Sequence, residues 1–221
     1  MSVHRAINAL TKLVPINLAI HMGLVFTSLF LAIIIGISLG VLLSRQKLKI
    51  VSNIVLQMLN VLQTIPPFAF VAISLPLLGF GYKPTIIVLV CQGVLPIIKG
   101  TMVGILQVNS KTREAAKGLG MTNFEILKEL ELPMSMPYIL SGVKMSSTYV
   151  VSVATLAGFV GAGGLGTLIS SGIAMLYPEY LLIGASLCAI IALVMNFILD
   201  KIEKKILFME FGDAKGLQCK N

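Results

Sequence analysis

The amino-acid sequence predicts an all-α protein that crosses a membrane several times, and three observations support this fold class. First, 57% of the 221 residues are hydrophobic, only 12% are charged, and the mean hydropathy is +0.96. A soluble core of this size could not bury so much apolar surface. Second, the apolar residues occur in runs of roughly 20 residues, the length in which a helix crosses a hydrocarbon layer about 30 Å thick. Third, basic residues cluster just beyond those runs, as they do in cytoplasmic loops.

Five apolar runs are predicted to be the membrane spans. They cover residues 18–43, 50–79, 84–106, 136–158 and 180–200. The second run is too long for one straight helix and contains Pro66-Pro67, so it forms either one kinked helix or two short ones. We count it as one span, because two full crossings would distribute the basic clusters over both sides of the membrane.

The basic clusters predict the orientation of the chain. They consist of Arg45, Lys47, Lys49, Lys201, Lys204 and Lys205. With five spans both clusters lie on one side, which is expected to be cytoplasmic, with the N-terminus outside and the C-terminus inside. Arg5, Lys12 and Lys83 fall on the outer side and weaken the pattern. The net charge of +8 does not indicate a nucleic-acid partner, because no aromatic residues are interleaved with the basic groups.

The longest polar interval, residues 109–133, is predicted to form two short helices. Asn109 or Ser110 can cap the first helix, which is expected to run through Leu119, and Gly120 suits its left-handed end. The alanines and glycines of this helix leave little side-chain bulk, so a second protein could approach its backbone closely. The residues alone do not decide between such docking and an ordinary solvated loop.

The second short helix opens with a capping box, in which Thr122 is followed three residues later by Glu125. Pro133 is expected to end the helix. Between these points the apolar and charged residues take opposite faces of the helix. The apolar face consists of Ile126, Leu127 and Leu130, and the charged face of Glu125, Lys128 and Glu129.

The interval contains a series of residues that carries a family resemblance. The series is Glu114-Ala115-Ala116-x-x-x-Gly120-(nine residues)-Leu130-x-Leu132-Pro133. It resembles the EAA loop of bacterial binding-protein-dependent ABC transporter permeases, with Leu130 where that family often has Ile. The resemblance implies that these residues form coupling helices that bind in a cleft of a cytoplasmic ATPase subunit. It also implies a second permease copy, identical or related, and an extracytoplasmic solute-binding protein.

Three further motifs extend the resemblance over nearly the whole chain. They are Leu62-Gln63-Thr64-Ile65-Pro66-Pro67, Pro76-Leu77-Leu78-Gly79-Phe80-Gly81 with Pro84, and Gly161-Ala162-Gly163-Gly164-Leu165-Gly166. They look most like the permeases of glycine betaine, carnitine and choline uptake systems, and the third motif is also shared with methionine-type permeases. The resemblance therefore implies ATP-driven import of a small solute such as a quaternary amine. The alternatives are a different solute, such as an amino acid, or a membrane scaffold subunit without a pore.

The resemblance also implies an organisation and a location. It implies the five transmembrane helices of the methionine-importer type in the bacterial plasma (inner) membrane. Residues 1–17 are expected to form an N-terminal segment, residues 18–206 a transmembrane permease domain that includes the coupling loop 109–133, and residues 207–221 a cytoplasmic tail.

Two spans carry polar residues at helical spacing. They are Asn53, Gln57, Asn60 and Thr64 in the second span, and Thr148, Ser152 and Thr155 in the fourth. Polar side chains in hydrocarbon are costly without partners, so both stripes are expected to face protein or water. Two interpretations remain open: the stripes line the translocation pathway, or they form hydrogen bonds between helices.

A glycine-rich segment follows the fourth span. Its glycines are Gly161, Gly163, Gly164 and Gly166, and their spacing matches the dinucleotide-binding pattern. That fingerprint requires a preceding strand and an acidic residue about 20 positions on. Here a membrane span precedes the glycines, and Glu179 is the only acid nearby. We expect instead an irregular, close-packed segment that acts as a gate at the outer mouth of the pathway.

The distribution of ionisable residues predicts that the energy for transport comes from another chain. No acidic residue precedes Glu114, so the carboxylate relays of proton-coupled transporters are not expected. The sequence lacks a GxxxxGK[ST] loop, so ATP and Mg²⁺ are expected only on the partner ATPase. Cys91, Cys188 and Cys219 are too dispersed to predict a metal site. We expect a transport subunit with no catalytic activity and no cofactor of its own.

Overall fold

A computed structural model describes residues 3–45 and 49–211, and all regular structure in these ranges is helical. Eight helices follow one another within these described ranges. They are α1 (Val3–Leu43), α2 (Lys49–Thr64), α3 (Pro67–Leu78), α4 (Tyr82–Gln107), α5 (Ser110–Gly118), α6 (Asn123–Val160), α7 (Leu165–Ala174) and α8 (Pro178–Phe211).

Four of the described helices, α1, α4, α6 and α8, are long and apolar enough to cross a membrane. Helices α2 and α3 form a fifth candidate span that is bent by 100° at its centre. The bend lies at Pro66, which has no N–H to continue the helical hydrogen-bond ladder, and Pro67 begins the next helix. The all-α class and the predicted spans are therefore confirmed, with the second span present as a sharply bent pair.

The centre of the bundle is formed by α1, α4 and α6, which approach one another at small residues. A Cβ atom added to Gly100 of α4 would lie 2.5 Å from the Tyr138 carbonyl oxygen of α6. One added to Gly40 of α1 would lie 2.5 Å from the Thr101 Cβ of α4. Within a membrane the hydrophobic effect does not drive helices together, because lipid tails are as apolar as the side chains. Close van der Waals packing at such small residues therefore stabilises the helix contacts.

The helix ends meet in two groups. At one end, Arg45 after α1 contacts Glu131 near the start of α6, with 2.9 Å between Nη1 and Oε2. At the other end, the Gly81 N–H before α4 donates to the Val160 carbonyl at the end of α6, at 3.0 Å. The polar interval and Arg45 thus share one end, as the span count requires. Lys47 lies outside the described residues, and the assignment of this end to the cytoplasm stays a prediction.

The prediction that Pro133 ends the second short helix is wrong. The helix continues from Asn123 to Val160 without a break. Residues Ile126–Glu131 form a wider π-helical segment that ends two residues before Pro133. In this segment the Leu132 N–H donates to the Leu127 carbonyl, five residues back. The wider turn relieves the clash that a proline ring makes with a carbonyl in a regular α-helix, so the helix passes into the span.

Candidate functional site

The polar interval forms the two-helix element that its capping residues predict. The Asn109 side chain accepts a hydrogen bond from the Lys111 N–H at 2.9 Å, so Asn109 rather than Ser110 caps α5. Helix α5 ends at Gly118, one residue before the predicted end. Gly120 takes a φ of +85°, in the left-handed region that glycine adopts without strain.

The capping box of α6 is also present in full. The Thr122 hydroxyl accepts from the Glu125 N–H, and the Thr122 N–H donates to the Glu125 carboxylate at 2.7 Å. The hydrogen bonds from the Thr122 backbone and side chain lower the pKa of Glu125 below its ordinary value. The turn between the two helices is therefore fixed by local hydrogen bonds.

The element presents an open surface at the tip of the bundle. Glu114, Ala115 and Gly120 are exposed, and a Cβ atom added to Gly120 would meet nothing within 4 Å. Two apolar side chains flank them, Leu119 at 84% exposure and Phe124 at 71%. Single exposed apolar residues are common, but two such side chains within six residues of one turn make it a candidate contact surface. We call these five residues the tip surface.

The remaining residues of the predicted coupling series face the bundle. Ala116 is buried, and Leu130, Leu132 and Pro133 are half-buried. Less of their surface is accessible than that of the exposed residues of the series, and part of each half-buried side chain stays open. The structure therefore divides the series into an exposed half and a packed half.

A buried carboxylate connects this element to the spans. Glu131 of α6 is 3% exposed and forms two ion pairs, each at 2.9 Å, with Arg45 Nη1 and Arg113 Nε. Arg113 also donates to the Ile105 carbonyl near the end of α4. One carboxylate thus joins the end of α1, helix α5 and the start of α6. We call this group the Glu131 clamp.

The polar stripe on α2 faces away from the rest of the chain. Asn53, Gln57, Asn60 and Thr64 are all exposed. Within the described residues none of the four bonds to another helix; the Thr64 hydroxyl donates to the Val61 carbonyl of its own helix at 2.7 Å. Hydrogen bonding between helices of one chain therefore does not explain this stripe.

The hydroxyl stripe on α6 is divided. The Thr148 hydroxyl lies 3.3 Å from Asn196 Oδ1 on α8 and donates to it, a contact between neighbouring helices. Ser152 is exposed, and the Thr155 hydroxyl donates to the Ser152 carbonyl at 2.7 Å. Helix packing accounts for Thr148, while Ser152 stays available to a pathway or a partner chain.

The glycine-rich segment forms a tight turn between α6 and α7. The last residues of α6, Thr155–Val160, wind into a 3₁₀ turn, and Gly161 takes a φ of +71°. Gly163 and Gly164 also have positive φ, and they lie over Ile20 and His21 of α1. The predicted irregular and close-packed backbone is present; its role as a gate stays a prediction.

Comparison with known proteins identifies the family. The family model described as binding-protein-dependent transport system inner membrane component matches residues 32–207. The chain belongs to this family. It is 37% identical over 198 residues to the Bacillus subtilis protein named glycine betaine/carnitine/choline transport system permease protein OpuCB, covering 90% of this chain and 88% of that one. It is 38% identical to the Salmonella typhimurium osmoprotectant import permease protein OsmY, covering 81% and 76% of the two chains.

The fold of this inner membrane component also matches a solved transporter. A structure titled as an inward-facing conformation of the MetNI methionine ABC transporter superposes with a TM-score of 0.79. The match covers 93% of this chain and 99% of that chain, at 21% sequence identity. At this identity the likeness shows the fold alone. The methionine-importer fold type is therefore confirmed, and the match gives no information about the solute.

Family membership defines the setting of the site. The chain is a multi-pass inner-membrane transport component, and its relatives are permease subunits, which is consistent with a non-catalytic role. The family implies partners of three kinds: an ATPase, a solute-binding protein and a second permease.

Sequence reasoning missed part of the site. The residues that it missed are Leu119 and Phe124 of the tip surface, Arg45, Arg113 and Glu131 of the clamp, and Gly158 beneath the glycine-rich turn. One signal was available for Glu131, because a carboxylate between two leucines on the apolar side of a helix needs a buried partner.

Proposed function

We propose that this chain is the membrane-spanning permease subunit of an ATP-driven importer for a quaternary-amine osmoprotectant such as glycine betaine, carnitine or choline. The observation that carries the transport role is the tip surface, an exposed element on α5 and α6 that the Glu131 clamp joins to the end of α1 and, through Arg113, to α4. The solute class is supported by the names of relatives that are 37–38% identical over most of the chain.

The tip surface is proposed to bind the ATPase subunit. Glu114, Ala115 and Gly120 are accessible there, and Leu119 and Phe124 supply apolar contacts. Movement of the ATPase would displace α5 and the start of α6, and the clamp would transmit this displacement to α1 and α4. ATP and Mg²⁺ would bind to the ATPase, and this chain would hold no cofactor.

The α2 stripe is proposed to line the pathway together with a second permease copy, identical or related. Its polar groups are exposed on the surface of a single chain, where lipid would leave them without partners. A second chain facing α2 would enclose them in a water-filled path. Ser152 of α6 is proposed to line the same path, and the glycine-rich turn at the opposite end would face the solute-binding protein outside the membrane.

Charge reversal on the tip surface is expected to release the ATPase. In a Glu114→Arg, Leu119→Asp double variant both side chains are solvent-exposed, so the fold should be retained. Loss of one ion pair and one apolar contact should weaken binding at least tenfold, about 1.4 kcal/mol. Copurification of the ATPase with the tagged permease measures this. Lys12→Ala, at the opposite end of the bundle, is the control. Wild-type copurification and ATP-dependent uptake by the double variant would show that the tip surface is not the coupling site.

Vesicles holding the reconstituted importer test both the solute class and the α2 stripe. The wild-type assembly is expected to accumulate at least one of labelled glycine betaine, carnitine and choline when ATP is supplied; uptake of none would refute the solute class.

A Gln57→Leu assembly should form normally but transport several-fold more slowly, because an apolar side chain interrupts a polar path. Met58→Leu, exposed beside the stripe, is the control. If Gln57→Leu prevents assembly instead, the stripe serves packing.

A further inference from the structure

Lys99 is a cation inside a predicted span that no described carboxylate neutralises. It lies in the second half of α4, eight residues before the end of that helix, and its Nζ donates to Gln63 Oε1 on α2. The other lysine within the predicted spans is Lys144, which forms ion pairs with Asp200 and Glu203 of α8. Among the described residues no such ion pair involves Lys99. An ammonium group has three donors, so a bond to one neutral amide leaves donors for an anionic oxygen.

A groove of about 270 Å³ opens beside this lysine, between α2, α4 and α6. Gln63 and Lys99 lie on one side, and Tyr138, Ser141 and Met145 of α6 lie on the other. The floor is formed where α4 and α6 make their close contact at glycines. The groove is therefore a space that side chains of this chain do not fill.

The groove lies next to the proposed pathway. Gln63 is three residues from Asn60, which places it about 60° around α2 from that residue at 3.6 residues per turn. Thr64, the last residue of the stripe, is its neighbour in sequence. Gln63 therefore marks the edge of the polar stripe, and its partner Lys99 brings a positive charge to that edge.

The groove pairs a cation with an aromatic residue. Tyr138 is 41% exposed and lines the same space. An ammonium group attracts a carboxylate through charge-assisted hydrogen bonds, and an aromatic face attracts a quaternary ammonium. A zwitterion such as glycine betaine or carnitine carries both groups, whereas choline carries only the cation and would meet repulsion from Lys99.

We propose that this groove is a transient binding site for the solute within the pathway, in which Lys99 binds the carboxylate and Tyr138 contacts the quaternary ammonium. The proposal rests on the proposed function and deepens it, because it names zwitterionic amines as the preferred solute class. Gln63 acts as a positioning residue that holds the Lys99 side chain at the edge of the stripe.

The test compares Lys99→Met and Lys99→Arg importers in vesicles, with glycine betaine and choline as labelled solutes delivered by the same binding protein. Lys99→Met is expected to lower glycine betaine uptake by about tenfold or more, the effect of losing a charged hydrogen bond, and to leave choline uptake equal or faster. Lys99→Arg keeps the charge and should retain most glycine betaine uptake. Copurification of the ATPase confirms that each variant assembles.

The outcomes separate this proposal from the proposed function. If the wild type imports quaternary amines but Lys99→Met slows both solutes equally, or neither, the groove is not a carboxylate site. Uptake of choline but no zwitterion by the wild type would also overturn it. Wild-type import of none of these amines refutes the proposed function and this site with it.

Repeating the measurement with and without anionic lipid identifies the source of the anion: a Lys99→Met effect that appears only with anionic lipid would assign the lysine to a lipid phosphate and overturn the proposal.

Discussion

Replacement of Glu131 by Gln is expected to cost about 3 kcal/mol of stability and to abolish solute uptake. The substitution keeps the shape of the side chain but removes its negative charge. Arg45 Nη1 and Arg113 Nε, each 2.9 Å from a Glu131 carboxylate oxygen, then lose their anionic partner. Removing one partner of a buried ion pair costs about 3–5 kcal/mol, because the remaining charge is desolvated and unpaired. We expect the lower end of this range, since the side chains of Arg45 and Arg113 are 38% and 25% exposed and water can solvate them in part.

The loss of uptake follows from the position of the clamp. Arg45 belongs to the end of α1, Arg113 to α5, and Glu131 to the start of α6, so the carboxylate is the shared contact of three elements. Without it, the ATPase could move α5 while α1 stays in place. The expected signature is ATP hydrolysis that continues with little or no transport.

Thermal unfolding in detergent measures the stability of the Glu131→Gln variant, and uptake per ATP hydrolysed measures coupling. Glu129→Gln is the matched control, because it removes the same charge from an exposed position two residues away. The control should behave as wild type in both assays. A Glu131→Gln importer with wild-type stability and wild-type uptake would show that the clamp has neither a structural nor a coupling role.

The features that the sequence predicted correctly depend on local interactions. The Asn109 cap, the Thr122–Glu125 capping box and the left-handed Gly120 each involve residues within three positions of one another. Their residue types and spacing are therefore sufficient to predict them. The membrane spans are predictable for a similar reason, because length and hydropathy are properties of a continuous segment.

The features that the sequence did not predict depend on contacts between distant segments. Arg45 and Glu131 are 86 residues apart, and nothing in either neighbourhood specifies the other. Pro133 illustrates a different failure. The rule that proline ends a helix assumes regular α-helical geometry, and the π-helical segment before Pro133 removes that condition.

Substitution of Gly166 by Ala is expected to abolish transport and to reduce the amount of folded protein in the membrane. A Cβ atom at Gly166 would lie well under 3.0 Å from the Thr155 carbonyl, and one at Gly158 would collide in the same way with the Gly166 backbone. Both obstacles are backbone atoms, which cannot rotate away as a side chain can. Inserting a methyl group into such a contact costs about 1–3 kcal/mol or more, so α7 must move away from the end of α6.

Gly161→Ala provides a graded control within the same turn. A Cβ atom at Gly161 would meet nothing within 4 Å, so this variant is strained only by its φ of +71°, at a cost of about 1–2 kcal/mol. We expect membrane levels to fall in the order wild type, Gly161→Ala, Gly166→Ala, measured by fluorescence-detected size exclusion of a tagged chain. If the turn is also a gate, the Gly161→Ala protein that does fold should import more slowly than its amount predicts. If the Gly166→Ala variant reached wild-type membrane levels and wild-type uptake, α6 and α7 would not pack through their glycines. The gate hypothesis would then lose its structural basis.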